Sequence, residues 1–140
     1  MTTELFFTIL TALLAASLWI PYIVGVNTTE FEGGDQPFHR PPDQSNMLPW
    51  IHRAYRAHQN LLEQFLPFAV LVLIGQSLGV TSWWFGLLAG IFFGLRVIHA
   101  FIMTLNLMAN PFRPIVFTTC WAITMAYGII LLVLANGTAA

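Results

Sequence analysis

Four nearly continuous apolar runs divide the 140-residue chain, and polar residues are confined to the intervals between them and to a few positions inside them. The first run, Leu5 to Val26, carries no charge at all. The others extend from Ala54 to Val80, from Trp83 to Leu107 and from Pro114 to Leu134. A helix that crosses a bilayer needs about 20 predominantly apolar residues, so the pattern predicts four spans at 5–26, 54–80, 83–107 and 114–134. The first run lacks a basic leader and is longer than a signal-peptide core, which predicts a retained helix rather than a cleaved segment. Only Gly79 to Ser82 separates the second and third runs, which predicts a tight antiparallel pair. Trp83 and Trp84 at that turn, and Trp50 at the other end of the second helix, suit the two headgroup belts. The expected fold class is all-α, an integral membrane four-helix bundle, as a single domain over 1–140.

The one long polar interval, the loop 27–53, holds Glu30, Glu32, Asp35 and Asp43 together with Gly33-Gly34 and Pro41-Pro42. A loop of that length is either a binding loop or lid, or a solvated connector. Composition sharpens the membrane reading: 57% of residues are hydrophobic and 8% charged, where a soluble domain has roughly a quarter charged. Five arginines, no lysine and six acids give a net charge of −1, which leaves no basic surface for nucleic acid and no polybasic lipid anchor. Cys120 is the single cysteine, so neither an intrachain disulfide nor a cysteine metal cluster is expected, and it reads as an inert buried thiol. Arg40, Arg53 and Arg56 flank the first loop and Arg113 the third. The positive-inside rule then places loops one and three in the cytoplasm and both termini outside.

The charges inside the runs are the informative ones. Helix two opens with His52-Arg53-Ala54-Tyr55-Arg56-Ala57-His58-Gln59-Asn60-Leu61-Leu62-Glu63, and at about 100° per residue Arg53, Arg56, Asn60 and Glu63 form one stripe. Helix three carries Arg96 and His99 one turn apart within an otherwise apolar run. A guanidinium at the centre of a span costs about 2.5–3.5 kcal/mol on insertion scales, so it faces a bundle interior or an aqueous cavity. By helical rise Glu63 lies about 15 Å below Arg53, a depth that predicts a meeting with Arg96. That pair either fixes how two helices dock or belongs to a site. Arg53, Arg56 and Arg113 crowd the same membrane end with Glu63 as the one firmly placed intramembrane acid, an excess of positive charge that suits an anionic ligand. Guanidinium forks take carboxylates, and Glu63 with Asn60 takes an ammonium or amide, so the corner fits a zwitterionic, peptide-like molecule better than a simple phosphate.

The string from Arg56 to Glu63, with Pro67-Phe68 following, resembles the Arg-Ala-x-x-Asn-x-x-Glu signature of helix two in the MAPEG family, the membrane-associated proteins in eicosanoid and glutathione metabolism. Arg96-Val97-Ile98-His99 is similar to the helix-three Arg-x-x-His of its microsomal prostaglandin E synthase branch, and Pro111-Phe112-Arg113 to the Pro-x-Arg that leads into helix four. The resemblance implies a homotrimer, with glutathione as co-substrate bound between subunits on the cytosolic side, and the short, lysine-free chain points to a bacterial inner membrane. It implies that Arg56, His58, Asn60 and Glu63 bind glutathione, that Arg96 and His99 line the pocket and that Arg113 lies near the thiol. Arg53 joins the binding set on the helix-face argument alone. Helix three departs from the family in having Val97, Phe101 and Met103 where prostaglandin and leukotriene synthases carry tyrosines, and Leu107-Met108 in place of a Leu-Arg step. Those differences point away from a narrow eicosanoid specificity and toward a looser pocket or altered thiol activation, while the Arg-x-x-His match sets the chain nearest the microsomal prostaglandin E synthase and microsomal glutathione transferase branch.

The implied chemistry is thiolate addition to a lipophilic electrophile, or reduction of a lipid hydroperoxide. A free thiol is only a few per cent ionised at neutral pH, and the guanidinium of Arg113 is the expected catalytic group that favours the thiolate. Two other readings stand beside this one: a non-catalytic member that binds a lipid or protein, and a haem-binding membrane anchor using His58 and His99. The second requires axial ligands at one depth, whereas helical rise puts His58 about 7 Å below Arg53 and His99 about 12 Å below Leu107.

Overall fold

The computed structural model describes residues 1–29, 47–106 and 112–137. These form four α-helices: α1 (Thr3–Thr28), α2 (Pro49–Ser77), α3 (Trp83–Leu105) and α4 (Phe112–Gly137). All four are long and apolar enough to cross a bilayer. The protein is therefore an all-α integral membrane protein with four candidate spans. The expected loop residues Glu30, Glu32, Asp35, Asp43 and Arg40 lie outside the described residues.

The helices are not bounded by the ends of the apolar runs. α2 begins at Pro49, five residues before the predicted start, because proline is suited to the first helical turn and the amphipathic segment from Trp50 to Arg53 continues the same spiral. It stops at Ser77 rather than Val80: the amide of Leu78 closes onto the carbonyl of Ile74, and Gly79 turns the chain at φ 67°, a conformation open to glycine at no steric cost. Ser82 then caps α3, its hydroxyl accepting from the Trp84 amide at 3.4 Å. α3 ends at Leu105, with Asn106 left-handed at φ 55° as its cap; the predicted end at Leu107 lies outside the described residues.

α1 packs against α2 and α3, and α4 lies across α3 and α2. The core between α2, α3 and α4 is aromatic. Phe68 stacks on Phe92 with ring centroids 4.2 Å apart and planes within 5°. Tyr127 meets Phe68 edge-on at 5.4 Å and Phe85 at 4.5 Å. A small second cluster of Val26, Met47 and Ile51, with Tyr22 beside it, joins the end of α1 to the start of α2. At the opposite end of the bundle, Gln76 Nε2 donates to the buried Glu4 carboxylate at 2.7 Å, tying α2 to α1. The outward faces carry Ile9, Leu13, Leu66, Leu73, Phe101, Ile129 and Leu132, all exposed, as a lipid-contacting surface requires. Pro21 and Pro67 sit inside helices, as is tolerated in membrane-spanning segments.

Candidate functional site

The start of α2 sorts its polar residues by angle. Taking Arg56 as zero, about 100° per residue places Glu63 near −20°, Asn60 near +40°, Arg53 near +60°, Gln64 near +80° and Ala57 near +100°. Burial follows the angle apart from Arg53, which stands at the end of the helix: Glu63 and Arg56 are exposed, Asn60, Gln64 and Ala57 are buried, and Arg53 is half-buried. The predicted polar stripe is therefore a boundary, with one edge turned into the bundle and the other turned out of it.

On the inward side lies a cavity of about 420 Å³, lined by Arg56 and Asn60 from α2, His99 from α3, and Arg113, Pro114, Phe117 and Thr118 from α4. That size lies within the range of small-molecule sites. Four residues singled out from the sequence thus converge from three helices. His99 is buried and its Nδ1 has no partner, and its ring stands 6.4 Å from that of Phe117. Arg113, itself exposed, lies at the second residue of α4 on the side that leads into the buried face: half-buried Phe117 and buried Cys120, Thr124, Tyr127 and Leu131 follow it at spacings of three and four residues. Among the described residues no acid lines the cavity, and its walls offer two guanidiniums, an imidazole, an amide and a hydroxyl-bearing residue to an anion.

The expected meeting of Glu63 and Arg96 does not take place. Arg96 is 1% exposed and lies one turn deeper than His99 on α3, beside the Cys120 thiol, while Glu63 acts on it only at longer range. Its Nε and Nη1 have no partner, and among the described residues no ion pair joins it to Glu63. The depth estimate for Glu63 holds as helical rise, but its azimuth turns it outward. Arg53 and His58 are half-buried and not among the lining residues of the cavity, His58 lying on the far side of α2 from Arg56, and Arg53 Nε is unpartnered. Cys120 is fully buried, as expected of an inert thiol.

The pattern of α2, the arginine and histidine of α3 and the arginine at the start of α4 can now be set beside known proteins. The MAPEG family matches residues 6–133. The chain belongs to the MAPEG family. Comparison with curated proteins and with solved structures gives no match.

Within this MAPEG protein, three cavity residues escaped the sequence reading: Pro114, Phe117 and Thr118. Phe117 was open to prediction, because it stands four residues beyond Arg113 and so shares its face. Thr118 has no such signal, since it lies on the flank of α4 and enters the cavity only through the way α4 leans on α2 and α3. His58 and His99 differ in burial as well as in depth, which gives no support to a paired axial-ligand site.

Proposed function

We propose that the protein is a glutathione-dependent membrane enzyme that adds the glutathione thiolate to lipophilic electrophiles, reduces lipid hydroperoxides, or does both. The observation that carries this reading is the single cavity in which Arg56, Asn60, His99 and Arg113 meet from three helices. Glutathione has two carboxylates, two amides, an ammonium and a thiol, and the two guanidiniums answer the carboxylates while Asn60 answers an amide. Membership of a family associated with glutathione supports the same ligand.

Glu63 supports the further step to an assembly. It is exposed on a membrane-spanning helix, among Leu62, Leu66 and Val70, where lipid offers no partner to a carboxylate. A neighbouring copy covers that face in a homotrimer, and the ligand ammonium, held between subunits, takes Glu63 as its partner. By arginine placement the cavity end faces the cytoplasm of a bacterial inner membrane, with the termini on the outer side. Arg113, on the α4 wall, favours the thiolate in a position reachable from lipid. The test is calorimetric titration of the detergent-solubilised protein with glutathione and with an S-alkyl glutathione, alongside Glu63→Ala. Wild type binds both ligands and Glu63→Ala binds them weakly. Absence of binding by wild type at millimolar ligand refutes the reading.

A further inference from the structure

The basic side chains of this protein are gathered toward one end. Every arginine and histidine falls within 39–58, at 96 and 99, or at 113, there is no lysine, and the segments 1–38, 59–95 and 114–140 hold none. Glu4 stands at the other end, in the first turn of α1, and is only 5% exposed. On α3 the first basic residue is Arg96, thirteen positions beyond the Trp83 start of that helix and so about 20 Å away by helical rise. Among the described residues the Glu4 carboxylate forms no ion pair, and the amino-terminal Met1 is exposed. Its hydrogen bond comes from a neutral amide, Gln76 Nε2, at 2.7 Å. A carboxylate withdrawn from water requires a positive partner as well as a donor. The positive end of the α1 dipole supplies only a fraction of a charge.

A second group beside it indicates the chemistry of that partner. Tyr127 is fully buried, and its hydroxyl has no hydrogen-bond partner. Phe68 and Phe85 hold its ring, with centroids 5.4 and 4.5 Å away. The oxygen is thereby fixed against α2: a methyl on Gly75, the residue before Gln76, would stand 3.7 Å from it. There it lies within electrostatic reach of Glu4. A tyrosine hydroxyl and a glutamine carbonyl both present lone pairs, so one carboxylate and two neutral oxygens are offered from α1, α4 and α2. Their total charge balances a single positive charge. Calcium takes six to eight oxygens and magnesium keeps several waters, whereas no water reaches the Tyr127 oxygen. A dehydrated monovalent ion answers both the charge and the space.

We propose that Glu4, Gln76 and Tyr127 form a binding site for a monovalent metal cation of about the size of sodium. The ion clamps α1, α2 and α4 together at the end of the bundle away from the arginine-lined cavity. It neutralises Glu4 and gives the Tyr127 oxygen a partner, and it stabilises the folded chain in proportion to its occupancy. This inference is independent of the glutathione reading, because none of the three residues lines that cavity.

The experiment purifies the full chain in a non-ionic detergent without sodium and titrates sodium chloride against choline chloride at constant ionic strength. Thermal melts read stability, and sodium NMR linewidths read binding directly. In wild type the melting midpoint rises with sodium and not with choline, and the sodium resonance broadens. Glu4→Gln keeps the shape of the side chain and removes its charge, so the sodium response and the broadening are lost. Tyr127→Phe keeps the ring between Phe68 and Phe85 and removes one oxygen. It raises the sodium concentration for half effect about tenfold, the lower bound for a contact to a charged group. Should Glu4→Gln fail to fold, the wild-type linewidths and Tyr127→Phe still decide the matter. Equal midpoints in sodium and choline with no broadening overturn the proposal. So does a sodium response that survives in Glu4→Gln, or one that Tyr127→Phe leaves unchanged.

Discussion

Arg56→Ala separates ligand recognition from folding more cleanly than any other substitution in the cavity. Arg56 is exposed and lines the cavity with Asn60 on the same helix, one turn away. Its removal therefore leaves no packing void, and an alanine is the best helix former for an exposed α2 position, so stability changes by no more than about 0.5 kcal/mol. The loss falls on the ligand. A charge-assisted hydrogen bond contributes about 1.5–3 kcal/mol, which corresponds to a dissociation constant raised about 10- to 150-fold. The upper end applies if the guanidinium holds a carboxylate with both of its arms. Arg56→Lys tests that point, because lysine restores the charge without the planar fork and recovers only part of the affinity. Titration calorimetry with glutathione reads the affinity, and a thermal melt of the detergent-solubilised protein reads the fold. In turnover, KM rises while kcat holds, the signature of binding shared by ground and transition states. Affinity within about threefold of wild type, or a fall in affinity matched by a fall in melting temperature, refutes the reasoning.

Two further substitutions probe the framework that holds the cavity. Phe68→Ala removes a ring stacked on Phe92 at 4.2 Å and edge-on to Tyr127. Helices separated within lipid keep their apolar surroundings, so the packing defect dominates: a void of roughly 100 Å³ at about 24 cal/mol per Å³ costs about 2 kcal/mol. A detergent-denaturation midpoint unchanged from wild type contradicts it. Gly25→Ala places a methyl 2.7 Å from Ile51 Cγ1 and from Trp50 Cη2. Trp50 is exposed and can move, but Ile51 is fully buried and cannot, so α1 and the start of α2 part at a cost of about 1–3 kcal/mol. Because that start carries Arg53 and Arg56, glutathione binding weakens as well, and retention of both stability and affinity contradicts the account.

Much of this architecture is legible from residue order because lipid is a demanding solvent. An apolar run either spans or does not, and a charge inside it has to be accommodated by protein or water. That rule singles out Arg56, Asn60, His99 and Arg113, which the cavity brings together. The ends of the helices are less legible: Pro49 and Gly79 set them by backbone geometry, independently of where hydropathy falls. The Glu63–Arg96 pairing fails for a related reason. Depth follows from counting residues at a constant rise, whereas contact also requires azimuth, and about 60° of rotation separates inward-turned Asn60 from outward-turned Glu63.

Chain chemistry alone dictates the medium, the four helices and the polar residues that have to be reconciled with them. Each of these depends on local quantities: hydrophobic length, helical rise and the cost of burying charge. The tertiary structure decides which of those residues share a space. It turns Arg96 into the interior beside Cys120, leaves Glu63 on the outer face of α2 and brings Phe117 and Thr118 of α4 to the cavity. Such choices depend on how α2, α3 and α4 rotate and lean to pack Phe68, Phe92 and Tyr127, and a global packing optimum of that kind is not encoded in the spacing along any one helix.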